Sequence, residues 1–247
     1  MALAAAQEFA RLTQGLKSSD DLSNALGAFA ERMGFSYFAL THHVDFNCTG
    51  VKAIRLHNYP QGWQGWFDDQ QLGVGDPIHR ASQRTASSFC WKDVKTMISL
   101  TRNDERVLAR AYKEGIGDGM TVPAHIPGEA KGSCSFAMRS DTSMRDGIGP
   151  IVQLIGLSAF EAARRLYGGR PTVVAGRKLT DRQRECLIWA ARGKTDWEIS
   201  RILGVSHETV IRHLKQAREN YDVPKRAQLT VEALHDGSIS FADILLH

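Results

Sequence analysis

Between residues 179 and 229 the chain cannot run as one long helix. Thr180 stands three residues before Gln183, Thr195 three before Glu198, and Ser206 opens a third segment, while Gly193 and Gly204 fall just past the apolar residues of the first two. A Thr or Ser hydroxyl satisfies the unpaired N–H groups at a helix start, and a Glu or Gln three residues on returns a bond to the cap's own N–H. Glycine supplies the left-handed residue that ends a helix. The stretch is therefore cut into helices over 181–191, 196–203 and 206–221, with only Gly204 and Val205 between the last two. Two helices joined by so short a turn make a helix-turn-helix.

The third helix sorts by angle. Val210, Leu214, Ala217 and Tyr221 share one stripe and are expected to pack inward, whereas Glu208, Ile211, Arg212 and Lys215 lie opposite. A helix in the major groove needs long donors for guanine edges and an apolar group for thymine methyls, and Arg212, Lys215 and Ile211 are of those types. Thr209 at the helix start and Lys194 before the second helix are candidate phosphate contacts. Residues 177–226 carry twelve Lys and Arg against seven Asp and Glu, so this region is basic although the whole chain is only +4. A merely solvated helix face is the plain alternative for Arg212 and Lys215.

Upstream, GGRPTVVAGRK (168–178) combines three glycines and a proline with no periodic apolar face, and it reads as a linker. It divides the chain into domains at 1–167 and 179–247. In the first domain, helical spacing over 2–16 and 20–33 precedes two strand-like runs, 35–44 and 51–56, joined by the turn FNCTG. Short helices follow Tyr59 and Asp76. A helix near 103–113, strands at 119–126 and 132–139 around PGEAKG, and a long helix over about 144–166 complete the pattern. The expected class is α+β: an α-β-α sandwich whose helices cover both faces of one sheet, followed by a small all-α module of four helices.

The segment NYPQGWQGWFDDQQLGVGDP (58–77) concentrates aromatic rings ahead of the carboxylate of Asp76. Tyr59, Trp63 and Phe67 recur every four residues and would form one face of a short helix starting near Pro60, with Trp66 off that face. Asp76 follows, then Trp91. Indole and phenol donors with a carboxylate acceptor in an apolar chamber suit a small neutral ligand bearing carbonyls and an amide N–H. Asp76-Pro77 is equally an N-cap with proline at the first helical position, and an aromatic stripe is equally ordinary core.

Two stretches carry a resemblance. LTDRQRECLIWAARGKTDWEISRILGVSHETVIRHLKQARENYDVPKRAQL (179–229) resembles the four-helix DNA-binding domain of LuxR-type transcription factors, with Gln183 standing where many members have Glu. Tyr59-Pro60, Trp63, Phe67, Asp76-Pro77 and Trp91 resemble the autoinducer-binding domain of the same family, which senses N-acyl-homoserine lactones. The resemblance implies that Trp63 donates to the lactone carbonyl and Asp76 accepts from the amide N–H. It also implies that Tyr59 and Ser135 meet the acyl carbonyl and that Trp91 packs near the lactone ring. Phe67 replaces the usual tyrosine, and the extra apolar ring suggests a branched or aryl acyl group. A homodimer on an inverted-repeat operator in double-stranded DNA is implied, with RNA polymerase as a further partner. Apolar positions on helices 151–166 and 227–234 are the candidate dimer surfaces. A regulator answering to a different small molecule is the alternative.

Other classes find little support. A phosphorylated receiver would alternate strands and helices around a mid-domain Asp, and Asp20-Asp21 instead sit at a helix start. No nucleophile elbow, P-loop or dinucleotide fingerprint is present, so neither an enzyme nor a cofactor is expected. His42 and His43, with Asp45 nearby, point to opposite faces as strand neighbours and make no metal site. Cys48, Cys90, Cys134 and Cys186 lack close spacing and read as reduced thiols. With no apolar run of eighteen residues and no basic leader, the expected location is the cytoplasm rather than a membrane.

Overall fold

The structure, a computed structural model, describes residues 2–44, 53–126, 129–145, 147–168 and 179–245. The turn FNCTG, Cys48, Asp45, part of PGEAKG and nearly all of the 168–178 linker lie outside the described residues. The chain divides into two compact units: Met1–Ile126 with Ala130–Gly169, and Arg170–His247 with Pro127–Glu129.

In the first unit the elements are α1 (Ala2–Gly15), α2 (Ser19–Met33), β1 (Tyr37–His42), β2 (Arg55–His57), α3 (Gln61–Asp69), α4 (Leu72–Gly75), α5 (Pro77–Ser82), β3 (Phe89–Cys90), α6 (Val94–Met97), α7 (Arg102–Lys113), β4 (Ile116–Ala124), β5 (Gly132–Arg139) and α8 (Gly149–Leu166). A turn of 3-10 helix at Trp91–Asp93 precedes α6. The strands form one antiparallel sheet in the order β2-β1-β5-β4-β3. Side chains alternate across a strand, and this alternation divides the unit into two layers. Phe38, Leu40, Val122, Cys134 and Phe136 meet α1, α2 and α8 in the main core. The opposite face, built from Ala39, Thr41, Thr121 and Ser135, looks toward α3 to α7. Helices thus cover both faces of the sheet.

Local chemistry fixes the ends of the covering helices. Ser18 Oγ accepts from Asp21 N–H at 3.1 Å to start α2, and Gly34, at φ +90°, ends it. A reciprocal cap between Thr101 and Asp104 starts α7, and Arg80 of α5 reaches across to the same Asp104 carboxylate at 2.9 Å, tying the two helices together. α8 approaches β4 so closely that a Cβ on Gly156 would lie 2.7 Å from Val122.

Several boundaries differ from the sequence reading. Tyr59 is not on the aromatic helix: α3 begins at Gln61 with Pro60 as its N-cap, because the residue before a proline is driven to extended backbone. The ring of Trp66, off the face that Trp63 and Phe67 share, still packs beside Trp63 with centroids 5.5 Å apart. β4 starts at Ile116, three residues before the expected 119, with an irregularity of register between Ile116 and Gly119. The two-residue β3 and the four-residue α4 and α6 are too short to leave a periodic signal.

The second unit contains α9 (Asp181–Ala191), α10 (Asp196–Leu203), α11 (His207–Tyr221), α12 (Arg226–His235) and α13 (Phe241–Leu245). Among the described residues the expected four helices are five, and 227–234 is not the last. Gly237, at φ +77°, breaks the chain after α12, and Ser240 and Asp243 cap one more turn of helix through Oγ and Oδ2. All three expected caps form, at Thr180, Thr195 and Ser206. Gly204, at φ +65°, makes the turn between α10 and α11. Val210, Leu214, Ala217 and Tyr221 are buried together, and Tyr221 Oη donates to Asp236 at 2.6 Å.

Candidate ligand cavity and nucleic-acid interface

A cavity of about 450 Å³ opens between the α3–α7 layer and the sheet, and Tyr59, Trp63, Phe67, Asp76, Trp91 and Ser135 all line it. Asp76 lines this cavity and is also the N-cap of a helix. Its Oδ1 accepts from the N–H groups of Ile78 and His79 at 2.8 and 3.0 Å, with Pro77 at the first helical position, so it caps α5. Asp76 is 5% exposed, and no group among the described residues donates to Oδ2. The cap holds the carboxylate in the cavity wall and leaves one oxygen with acceptor capacity.

Trp63 is buried, and Phe67 lies one turn further along α3, with ring centroids 5.7 Å apart. Burial, with the Asp76 carboxylate beside it, pushes the Tyr59 phenol well above its usual range, so it is a neutral donor at every physiological pH. Trp91 behaves differently from Trp63: its indole N–H is spent within the protein, donating to Thr121 Oγ1 at 2.8 Å. Thr121 Oγ1 lies 2.8 Å from Ser135 Oγ. Thr121 is fully buried, and a hydroxyl has a single proton. Were Ser135 the donor, the Thr121 proton would be left without an acceptor at a penalty of about 1–3 kcal/mol. The chain therefore runs Trp91 to Thr121 to Ser135, and the Ser135 proton is the one free to reach an acceptor in the cavity.

Sequence reasoning missed Thr121, His57 and Arg55. Arg55 and His57 are two apart on β2, so the period of two places both on the cavity face. Arg55 is held by Asp68 of α3 at 2.7 and 2.8 Å. His42 and His43 diverge as expected: the first ring meets Phe160, and the second stacks on His79 at 3.9 Å and bonds Ser133 at 2.9 Å. Among the described residues no group of three metal-binding side chains is placed to hold an ion, and Cys90, Cys134 and Cys186 are free thiols. No helix among them is long and apolar enough to cross a membrane.

In the second unit Ile211, Arg212 and Lys215 are exposed along one side of α11, away from the buried stripe. Thr209 sits in its first turn, with its N–H and hydroxyl both on Ser206 Oγ. Lys194 is engaged by Glu198 at 3.2 Å, and Lys215 lies 3.9 Å from Glu219; both are part-exposed or exposed pairs of the kind worth under about 1 kcal/mol and readily exchanged for another anion. Arg226, at the start of α12, bonds Asp196 at 2.8 Å and the Lys194 carbonyl at 2.9 Å. It thereby fixes the turn that leads into α10. Of the expected dimer surfaces, α8 exposes Leu154 and Leu157 and α12 exposes Val231, while their other large apolar residues mainly serve the two cores.

Two family models match the chain, one after the other. Residues 18–163 match the family model described as an autoinducer binding domain, and 177–233 match the luxR family of bacterial regulatory proteins. The chain is 27% identical over 231 residues to the transcriptional activator protein LuxR of Aliivibrio fischeri, covering 90% of each. It is 30% identical over 236 residues to the transcriptional activator protein VanR of Vibrio anguillarum, covering 92% of this chain and 94% of that one. It is 31% identical over 192 residues to the quorum sensing-dependent regulator RpaR of Rhodopseudomonas palustris, covering 77% of each. Among solved structures, Escherichia coli SdiA shares the fold, with a TM-score of 0.62 at 22% identity over 96% of this chain and 98% of that one. The chain belongs to the luxR family of bacterial regulatory proteins, as a quorum-sensing transcription regulator, not an enzyme, that joins an autoinducer-binding domain to a helix-turn-helix DNA-binding domain.

Proposed function

We propose that the autoinducer is an N-acyl-homoserine lactone, taken up without any cofactor, and that the loaded protein binds an inverted-repeat operator as a homodimer in the cytoplasm. The observation that carries the ligand assignment is the meeting of Asp76, Trp63, Tyr59 and Ser135 around one cavity with largely aromatic and aliphatic walls. The donor and acceptor types match the ligand head group by group. Oδ2 of Asp76 accepts from the amide N–H, the Trp63 indole donates to the lactone carbonyl, and Tyr59 and Ser135 donate to the acyl carbonyl. Trp91, its N–H already engaged, offers its ring to the lactone as an apolar wall. Phe67 adds a second ring with no hydroxyl and favours a branched or aryl acyl group over a long straight one.

In the DNA module, Arg212, Lys215 and Ile211 read base edges while Thr209 and Lys194 contact phosphates. One such module reads few base pairs, so a pair facing two half-sites about 34–36 Å apart is the arrangement expected. Leu154, Leu157 and Val231 are candidate contacts between protomers. RNA polymerase is the further partner of a promoter-bound dimer.

A thermal-shift titration of the full chain with straight, branched and aryl acyl lactones tests the ligand assignment. A ligand bound only by the folded state at a hundredfold excess over Kd stabilises it by about 2.7 kcal/mol. The expected result is a saturable rise in Tm with the ligand recovered intact. A panel that leaves Tm unmoved rejects the assignment.

A further inference from the structure

One row of residues in register crosses four strands under the cavity. Thr121 of β4 pairs with Ser135 of β5, Ser135 with Ala39 of β1, and Ala39 with His57 of β2. The row is polar at one end, where Trp91, Thr121 and Ser135 form their hydrogen-bonded chain. It is lowered in the middle by alanine, and it becomes polar again at the β2 edge. Strand spacing puts His57 about 10 Å from Ser135. That is roughly the reach of a medium-length acyl chain whose carbonyl is held at Ser135 and whose body lies over Ala39.

The far end is not built to receive a methyl group. His57 lines the cavity, yet among the described residues neither of its ring nitrogens has a hydrogen-bond partner, and Nδ1 is also shielded from solvent. Burial, then the neighbouring Arg55 guanidinium, holds its imidazole below the ordinary 6.5, so near neutral pH the ring keeps one donor and one acceptor. Gln64 of α3 and Thr41 of β1 add further polar groups to the same lining. A purely alkyl end would leave these polar groups without a partner.

We infer that the acyl group of the autoinducer carries an uncharged hydrogen-bonding group, of the hydroxyl or phenol class, remote from the amide, and that His57 receives it. This deepens the lactone reading and rests on it. The role of His57 is to select among acyl chains, and it is separate from the recognition of the lactone head.

The test compares octanoyl-homoserine lactone with ω-hydroxyoctanoyl-homoserine lactone by titration calorimetry on the full chain. One net hydrogen bond corresponds to a preference of about tenfold in Kd for the hydroxylated compound. His57→Phe, which keeps the ring and removes both polar atoms, is expected to abolish that preference while still binding the octanoyl compound. His57→Gln, able to donate and accept, retains a preference. Equal affinities in the wild type, or a preference that survives in His57→Phe, overturns the inference while leaving the lactone assignment standing. If neither lactone binds the wild type, the assignment falls and this inference falls with it.

Discussion

Asp76 has two separable duties, and the chemistry of its two oxygens distinguishes them. Oδ1 caps α5; Oδ2 is the proposed ligand acceptor. Asp76→Ala removes both, so its expected loss of lactone response is compounded by a missing cap, worth about 0.5–2 kcal/mol. Asp76→Asn is the sharper variant, since an asparagine oxygen still caps while its amide presents donors where the ligand also donates. We predict that Asp76→Asn keeps its apo Tm within a few degrees of wild type and loses lactone binding by calorimetry; retention of binding removes Asp76 from the head-group site. His43 supplies a second residue-scale prediction. Burial first, then His79, His125, His42 and Lys131, hold its imidazole far below the ordinary 6.5. The unfolded chain therefore binds a proton that the folded chain refuses, so stability is complete above about pH 6.5 and falls below it, by up to about 1.4 kcal/mol per pH unit for one such group. Urea unfolding at pH 7.5 and 5.5 is expected to show this fall in wild type and a smaller one in His43→Gln, whose amide still reaches Ser133. An unchanged difference assigns the acid sensitivity to other groups.

At the scale of elements, the decisive contact is the seat of α8 on β4. Gly156 has helical backbone and no need of glycine's freedom, so helix propensity alone predicts that Gly156→Ala stabilises by about 1 kcal/mol. The added methyl would stand 2.7 Å from the Val122 side chain, inside a fully buried layer, and overpacking of that kind costs about 1–3 kcal/mol. The two effects oppose, and the second is the larger. Gly156→Ala is expected to lower the urea midpoint, and Val122→Ala in the same chain is expected to make the two changes less than additive. A higher midpoint in Gly156→Ala would mean that α8 shifts freely. This glycine also marks the limit of what the sequence discloses. The caps at Thr180, Thr195 and Ser206 and the inward stripe of α11 are local, and their side chains fall where the pattern places them. α13 had a legible cap in Ser240 and Asp243, hidden only by its five-residue length. The extended start at Tyr59 was legible too, in the proline that follows it. Thr121, His57 and the Gly156 contact were not, because each gains its meaning from a strand or helix distant in the chain, and pairing register is not written in local periodicity.

The chain has two units with cores of different kinds: a sheet with ring-bearing helices on one face, and a helical cluster anchored on Tyr221. The candidate ligand groups all belong to the first and the candidate base readers all belong to the second. No residue is asked to do both jobs. Substitutions that touch chemistry without touching a core should therefore separate the two activities cleanly. Arg212 and Lys215 are exposed on α11, so truncating either leaves no buried group unpaired and little changed in stability. Their losses are not equivalent. Phosphate contacts release counterions, so losing one lowers affinity on all sequences and flattens the salt dependence by about one unit of slope. A bidentate contact to a guanine edge is worth about 1–3 kcal/mol at one base pair and leaves the slope nearly unaltered. The planar fork of Arg212 suits the second role, and the point charge of Lys215 serves either. We predict that Arg212→Ala binds operator DNA about tenfold or more weakly, with relaxed preference at one base pair per half-site and lactone affinity unchanged. Fluorescence anisotropy across a salt series, on operator and on scrambled DNA, measures slope and specificity together. An Arg212→Ala protein that loses affinity equally on both DNAs, with a flatter slope, assigns Arg212 to the backbone and moves base reading to another residue of α11.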